Sequence, residues 1–409
     1  MLSLFNDHSL EICKIDITFD AGALYQPKFL VAGITNQLFP IASLHHSAQQ
    51  IAEFIDYRGI IVEPNTDTYT ACLSVYSLRR YMAELLPLLC EILASPAFPE
   101  EDFLRLCRKR KQQLLTSFQK TNQVARNLFY EGLYGSQHIL GRYASPDDAD
   151  KIALDDVRSF FHDRYNLDQA QFQLAGPIDD ELLASFRSTF PSAAPIQTIL
   201  PPSVPTEAQF SALSSQSSAH SPQLTAHNLH TTIPNSVQST IRLGRILPLR
   251  WDDPDYARFM VLNTILGGYF GSRLMTSVRE EKGYTYGIYS QTHIYRDSIV
   301  FSISADVGNE VVQPALQAIL DELKRLQDEP VSDKELDIVR HYMEGDFLRS
   351  IDGLFECSER YRQMQIIGLS ERFTNNFFAA IRTVTPTQLQ ALAQRFLSSS
   401  DLLQVIVGS

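Results

Sequence analysis

The sequence is poor in cysteine and tryptophan, with five cysteines and one tryptophan among 409 residues. The cysteines are Cys13, Cys72, Cys90, Cys107 and Cys357. They are odd in number and include no C-x-x-C pair, so no disulfide framework is indicated. None has a histidine close by in sequence, which argues against a cysteine nucleophile. The pattern predicts buried free thiols in a reducing compartment.

Long apolar runs and an excess of basic residues are also absent. No apolar run reaches the ~18 residues of a membrane span. The start, MLSLFNDHSLEICKIDITFD, lacks the basic segment and apolar run of a secretory signal. The net charge of −12 argues against nucleic-acid binding, because an acidic protein repels phosphate. We therefore expect a globular cytoplasmic protein without a membrane span; a periplasmic location stays open if a signal was removed.

A Pro-, Ser- and Ala-rich stretch divides the chain. Between Arg187 and Arg242 the only charged residue is Glu207. Such a segment buries too little apolar surface to fold, and it is long for a loop within one domain. The composition predicts an N-terminal lobe over 1–190, a linker over 191–235 and a C-terminal lobe over 236–409.

The two lobes resemble each other in the order of their segments. The strand-like run AQFQLAG, which starts at Ala170, recurs 232 positions later as LLQVIVG. The helical segments FPEEDFLRLCRKRKQQLL and VSDKELDIVRHYMEGDFL also correspond, each opening with acidic residues that suit a helix N-terminus. Strands and long helices in a duplicated order predict two similar α+β lobes.

The most specific segment is LGGYFGSRLMTSVREEKGYTYGIYS, over residues 266–290. Its glycines permit close backbone approach, but its spacing does not fit a phosphate-binding loop. The segment closely resembles the second-half signature of the pitrilysin/insulinase family of zinc peptidases, the inverzincins. The duplicated order and the length are similar to short bacterial members and to mitochondrial processing peptidase subunits. The resemblance implies that family's fold, with a largely antiparallel sheet packed by helices in each lobe.

The first half departs from the family at its zinc motif, H-x-x-E-H on a helix. The corresponding segment, FLVAGITNQLF, has Ala32 and Asn36 at the two histidine positions and Thr35 at the position of the general base. The third ligand, a glutamate in the family, should lie in 105–117, which contains no Asp or Glu. No H-x-x-E-H or H-x-x-x-H occurs elsewhere in the chain. We therefore expect no metal ligand and no cofactor in this chain, with zinc in a partner subunit.

The family's second-half residues are retained. In the family, an Arg and a Tyr seven residues apart reach into the zinc site and hydrogen-bond the scissile carbonyl. The resemblance assigns these roles to Arg279 and Tyr286, in trans with a partner, and substrate binding to Gly267 and Gly268. A guanidinium and a phenol are suitable donors to a developing oxyanion. Packing alone also explains such residues: Arg279 beside Glu280 or Asp297, and Tyr286 as a strand aromatic.

The resemblance leaves three functions open. The first is a non-catalytic subunit of a two-chain zinc endopeptidase, supplying Arg279 and Tyr286 to a paralogous subunit that holds zinc and cuts unfolded peptides. The second is a structural or peptide-binding pseudo-peptidase without a catalytic role. The third, which the missing ligands disfavour, is a self-sufficient zinc peptidase. A homodimer of the isolated chain is also open.

Overall fold

The computed structural model describes residues 1–199 and 228–409. The strands are β1 Leu2–Asn6, β2 Ile12–Phe19, β3 Ile61–Thr66, β4 Ala71–Leu78, β5 Gln171–Gly176, β6 Ile196–Thr198, β7 Asn228–Thr232, β8 Gln238–Leu247, β9 Thr285–Ile294, β10 Ile299–Gly308 and β11 Leu403–Gly408. The helices are α1 Val31–Leu38, α2 Ala48–Arg58, α3 Met82–Ala94, α4 Glu100–Ser117, α5 Thr121–Tyr134, α6 Leu154–Arg164, α7 Asp180–Thr189, α8 Pro254–Asn263, α9 Val312–Asp328, α10 Asp333–Arg349, α11 Leu354–Ile367, α12 Glu371–Thr383 and α13 Pro386–Phe396. Among these described segments, no helix is both long and apolar enough to cross a bilayer.

The chain forms two compact units, each built around one sheet. Within the described residues, unit 1 consists of 1–116, 143–199 and 351–362. Unit 2 consists of 117–142, 228–350 and 363–409. Each unit therefore contains one short segment from the other half of the chain.

The sheet of unit 1 has the order β3-β4-β2-β5-β1-β6. Strand β2 shows why it forms, because its residues alternate between two environments. Cys13, Ile15 and Ile17 belong to the apolar core, whereas Lys14 and Asp16 point to the opposite face and pair with each other there. The main apolar core of unit 1 thus lies on one side of the sheet, and the other side carries polar groups.

The sheet of unit 2 has the order β7-β11-β8-β10-β9. Read from the opposite end, this order reproduces β3-β4-β2-β5-β1 with the same strand directions. In each sheet the first three pairings are antiparallel, and the fourth, β5 with β1 or β11 with β7, is parallel. Strand β6 adds a further parallel pairing with β1 in unit 1. The predicted fold class, two similar α+β lobes with largely antiparallel sheets, is therefore confirmed.

The exchanged segments pack on the sheet faces through apolar contacts. Helix α5 follows α4 in the first half, yet its Ala125, Phe129 and Leu133 form a core cluster of unit 2 with Val405 and Val407 of β11. In unit 1, the segment 351–362 packs its own apolar side chains against β1 and β5. The sequence-based lobe boundaries follow chain order and do not include this exchange.

The linker predicted over 191–235 lies mostly outside the described residues. Both of its described ends form strands. Strand β6 pairs with β1, and β7 pairs with β11. The composition of this stretch, whose only charged residue is Glu207, did not indicate these edge strands.

Candidate functional site

Helix α1 carries the three positions that the sequence resemblance assigns to a zinc motif. Ala32, Thr35 and Asn36 are fully buried. Thr35 Oγ1 donates a hydrogen bond of 2.8 Å to the carbonyl of Val31. The hydroxyl is therefore satisfied within its own helix, as is common for a mid-helix threonine.

Asn36 ties α1 to the neighbouring strands. Its amide nitrogen donates to the carbonyls of Asn65, at 2.8 Å, and Cys72, at 3.1 Å. Its oxygen accepts a hydrogen bond of 3.3 Å from the hydroxyl of Tyr165. Every polar group of this amide is used in holding the helix against β3, β4 and the end of α6.

These residues do not fit a zinc ion. Zinc in proteins takes thiolate, imidazole or carboxylate ligands, and the three α1 positions offer a methyl, a hydroxyl and an amide. The thiol of Cys72 is held protonated, because burial raises its pKa. Over residues 1–199 and 228–409, no group of three or more His, Cys, Asp and Glu side chains could hold a metal. The α1 positions therefore supply no ligand set for zinc.

The third-ligand region falls on α4. The basic residues of this helix partly pair with acids: Arg105 with Asp102 and Lys111 with Asp150. The helix thus presents a basic, largely exposed surface where the sequence resemblance predicts a carboxylate ligand.

The Gly-rich segment of unit 2 joins α8 to β9 through two π-helical stretches, Thr264–Gly268 and Met275–Glu281. Such stretches are rare and frequently accompany functional sites. Gly267 is buried, and a Cβ on it would lie 2.6 Å from the Ser290 nitrogen. Gly268 is exposed. The close approach to β9 accounts for Gly267, while substrate binding by either glycine stays a prediction.

Arg279 and Tyr286 are brought together by this local fold. Arg279 lies in the second π-helical stretch and Tyr286 at the start of β9, and the Nε of Arg279 donates a hydrogen bond of 3.0 Å to the carbonyl of Tyr286. The guanidinium also lies 3.7 Å from a carboxylate oxygen of Glu280. The side chain of Tyr286 is 91% exposed, so it is not the core aromatic that packing would require.

An exposed aromatic residue completes this surface. Phe270 is 63% exposed, and its ring centroid lies 4.8 Å from the guanidinium carbon of Arg279. This cation–π contact holds the arginine on the side of the Gly-rich turn. Sequence reasoning overlooked Phe270, although an aromatic residue between two glycines was a visible signal.

A second arginine anchors the Gly-rich segment. Arg273 makes two hydrogen bonds of 2.8 Å to the carboxylate of Glu335 on α10. Its side chain is only 12% exposed, so this bidentate pair is shielded from solvent. It fixes the segment between the two π-helical stretches and thereby positions Phe270 and Arg279.

The fold and this site define a protein of two similar α+β units, with no zinc ligand at the α1 positions that the resemblance assigns to the zinc motif. Residues 151–343 match the family described as "Peptidase M16 inactive domain". The resemblance to pitrilysin/insulinase-type peptidases is thereby confirmed over this segment of the chain.

Relatives and solved structures agree with this assignment. The chain is 22% identical over 366 residues to "Uncharacterized zinc protease YmxG" of Bacillus subtilis, covering 89% of this chain and 84% of the relative. It is 19% identical over 408 residues to "Non-peptidase homolog YmxG" of Helicobacter pylori, covering 98% and 90%. The crystal structure of a peptidase M16 inactive domain from Pseudomonas fluorescens superimposes with a TM-score of 0.82 at 22% identity, covering 99% of this chain and 95% of that one. At this identity the structural likeness shows the fold.

Proposed function

We propose that this chain is the non-catalytic subunit of a two-chain zinc endopeptidase. A paralogous subunit holds zinc and cuts unfolded peptides. This chain supplies Arg279 and Tyr286, which bind the scissile carbonyl and stabilise its oxyanion. The observation that carries the proposal is the pairing of Arg279 with Tyr286, with the phenol 91% exposed, in a chain whose α1 has no zinc ligands.

The geometry suits a donor role for both side chains. The Nε of Arg279 is used by the Tyr286 carbonyl, which fixes the guanidinium plane and leaves its terminal nitrogens as donors. Donors that are positioned before reaction stabilise developing negative charge at little reorganisation cost. The ring of Phe270 restricts the same guanidinium further.

The test is peptidase activity of the chain mixed with a paralogue that has an intact H-x-x-E-H motif. We expect the chain alone to be inactive and the mixture to cut an unfolded peptide faster than the paralogue alone. Arg279→Ala should lower kcat of the mixture by about 100-fold, the usual effect of removing one oxyanion donor. Tyr286→Phe should lower it in the same direction.

Matched control variants distinguish the loss of a hydrogen-bond donor from a general loss of structure. Arg349 is 74% exposed on α10, and Tyr57 is 84% exposed on α2. Arg349→Ala and Tyr57→Phe should leave kcat unchanged. An unchanged kcat in Arg279→Ala would instead favour a structural pseudo-peptidase, and one zinc per chain with unaided cleavage would favour a self-sufficient enzyme.

A further inference from the structure

A group of basic side chains lies on the face of the second sheet beside α5. It consists of Arg126 on α5, Arg242 on β8 and His293 on β9. Among residues 1–199 and 228–409, none of the three forms an ion pair. This is unusual in a chain of net charge −12, whose other arginines mostly pair with carboxylates.

The sheet register places the polar groups of this cluster on one face. Arg242 lies opposite Ser304, and Gly244 lies opposite Ser302, across the β8–β10 pairing. His293 lies opposite Val300, so it shares that face with Ser302 and Ser304. The Nη2 of Arg242 is 3.4 Å from the Oγ of Ser304.

The three basic groups are near enough to influence one another. Burial and then the charges of Arg126 and Arg242 lower the pKa of His293. Burial and the charge of Arg126 also lower the pKa of Arg242, while Tyr130 and Asp306 act in the opposite direction. Asp306 is the one acid among these influences, and its carboxylate already accepts a hydrogen bond from Thr240.

Aromatic rings fix the two arginines without neutralising them. The guanidinium carbon of Arg126 lies 5.7 Å from the ring centroid of Tyr130, and that of Arg242 lies 5.6 Å from Phe129. Two buried polar atoms here have no hydrogen-bond partner: the Nε of Arg242 and the Oγ of Ser302, whose residue is 1% exposed. Unused donors next to uncompensated positive charge are the features of an anion site.

We propose that Arg126, Arg242 and Ser302 form a site for a carboxylate of a bound peptide. The carboxylate would accept hydrogen bonds from the guanidinium groups and the serine hydroxyl. Its negative charge would offset the mutual repulsion of the two guanidinium groups. Elsewhere the acidic chain repels such a peptide, so the site gives a local preference for acidic sequences.

The position along β9 relates this site to the residues that contact the scissile bond, and this step rests on the proposed function. Tyr286 and His293 are seven residues apart on one strand, which is about 23 Å at 3.3 Å per residue. An extended peptide spans this distance with about seven residues. The preferred substrate would therefore carry its carboxylate about seven residues from the cleaved bond.

The experiment is fluorescence anisotropy on the full chain alone, with three labelled, unstructured 12-residue peptides. One has an internal Glu and an amidated C-terminus, the second has Gln in its place, and the third is the Gln peptide with a free C-terminus. We expect the Glu peptide to bind at least about fivefold tighter than the amidated Gln peptide. Tighter binding of the third peptide instead would support the site with a terminal carboxylate as its ligand.

Variants then test which residues create the preference. Arg126 is exposed, so Arg126→Gln should fold normally and should reduce the Glu-over-Gln preference to about one. Arg242→Gln should do the same, and Arg349→Gln, a matched loss of one charge, should not. Peptide binding should also raise the pKa of His293, measured by NMR on histidine-labelled protein, because a bound carboxylate favours the imidazolium.

The outcomes separate this proposal from the proposed function. Equal affinity for all three peptides, or a preference that survives both Arg126→Gln and Arg242→Gln, overturns the site. If the preference holds while Arg279→Ala leaves the partner's kcat unchanged, the carboxylate site stands and the role in cleavage falls. If the Glu-over-Gln preference is absent while Arg279→Ala lowers the partner's kcat, the carboxylate site falls and the role in cleavage stands.

Discussion

At the scale of single residues, Asn36 is part of the core at a position that the sequence resemblance assigns to a zinc-binding histidine. A zinc ligand at this place would need an unsatisfied donor atom directed at the ion. Asn36 instead shares its amide among two backbone carbonyls and the hydroxyl of Tyr165. Substituting histidine for Asn36 alone would therefore leave these partners unpaired without creating a metal site.

Asn36→Ala should destabilise the protein by about 2–3 kcal/mol. The substitution leaves buried carbonyls of Asn65 and Cys72 without their donor, and unpaired buried groups carry that order of penalty. Urea unfolding followed by circular dichroism measures the change. Gln37→Ala on the same helix is the control, since Gln37 is exposed and should change stability by less than about 0.5 kcal/mol.

At the scale of elements, the position of Arg279 is determined by the two π-helical stretches between α8 and β9 and by Gly267. Ser290 of β9 donates a hydrogen bond of 3.0 Å to the carbonyl of Asn263 at the end of α8. Gly267 allows this approach because it has no side chain. Strand β9 and the segment that carries Arg279 are therefore both held to the end of α8.

Gly267→Ala should destabilise the protein by about 1–3 kcal/mol, because the new methyl group would overlap β9. Under the proposed function, it should also weaken the effect of this chain on the activity of the paralogue. Gly345→Ala should have the opposite effect on stability. Gly345 lies in α10, where a Cβ meets nothing within 4 Å, so alanine should stabilise the helix by about 0.5–1 kcal/mol. Thermal unfolding of the two variants gives both values, and equal shifts would contradict the close-approach argument.

The elements were largely predictable, and their long-range partners were not. The repeated strands became β5 and β11, and the segments with acidic starts became α4 and α10, because local periodicity and end signals determine such elements. The exchange of α5 gave no local signal, since its contacts with β8 and β11 span more than 100 residues. The cluster around Arg126 and Arg242 depends on that exchange and was overlooked for the same reason.

At the scale of the whole molecule, unit 1 is completed by residues from the far end of the chain. Lys14 pairs with Asp16 at 2.9 Å, and its Nζ is 3.4 Å from a carboxylate oxygen of Glu359. Arg362 pairs with the same glutamate. Lys14 and Asp16 are almost fully buried, so this network connects the segment 351–362 to β2 through charges that depend on one another.

Asp16→Asn should destabilise the protein by about 3–5 kcal/mol at pH 7, because it leaves Lys14 buried with weaker compensation. Burial lowers the pKa of Lys14, but Asp16 outweighs it, and the net shift is upward. The stabilisation from Lys14 is thus fully present below its unfolded pKa of about 10.5 and is lost as the pH rises through the higher folded value. The difference in free energy of unfolding between the wild type and Asp16→Asn should consequently shrink towards pH 11.

Urea unfolding of both proteins at pH 7 and pH 11 measures this deficit. Asp155→Asn is the control, because the Asp155 side chain is 87% exposed and its pair with Arg158 is solvated. A deficit that is small at pH 7, or that does not change with pH, would show that the buried pair contributes little.

The exchanged segments also determine when each unit can be completed during synthesis on the ribosome. Helix α5 is made before any strand of unit 2, so that unit has its borrowed helix ready when its sheet forms. Unit 1 is in the opposite situation, because residues 351–362 emerge ~160 residues after its last described strand. At about 5–20 residues per second, the wait lasts roughly 8–32 seconds. During translation, unit 1 is therefore completed only after most of unit 2 has been made.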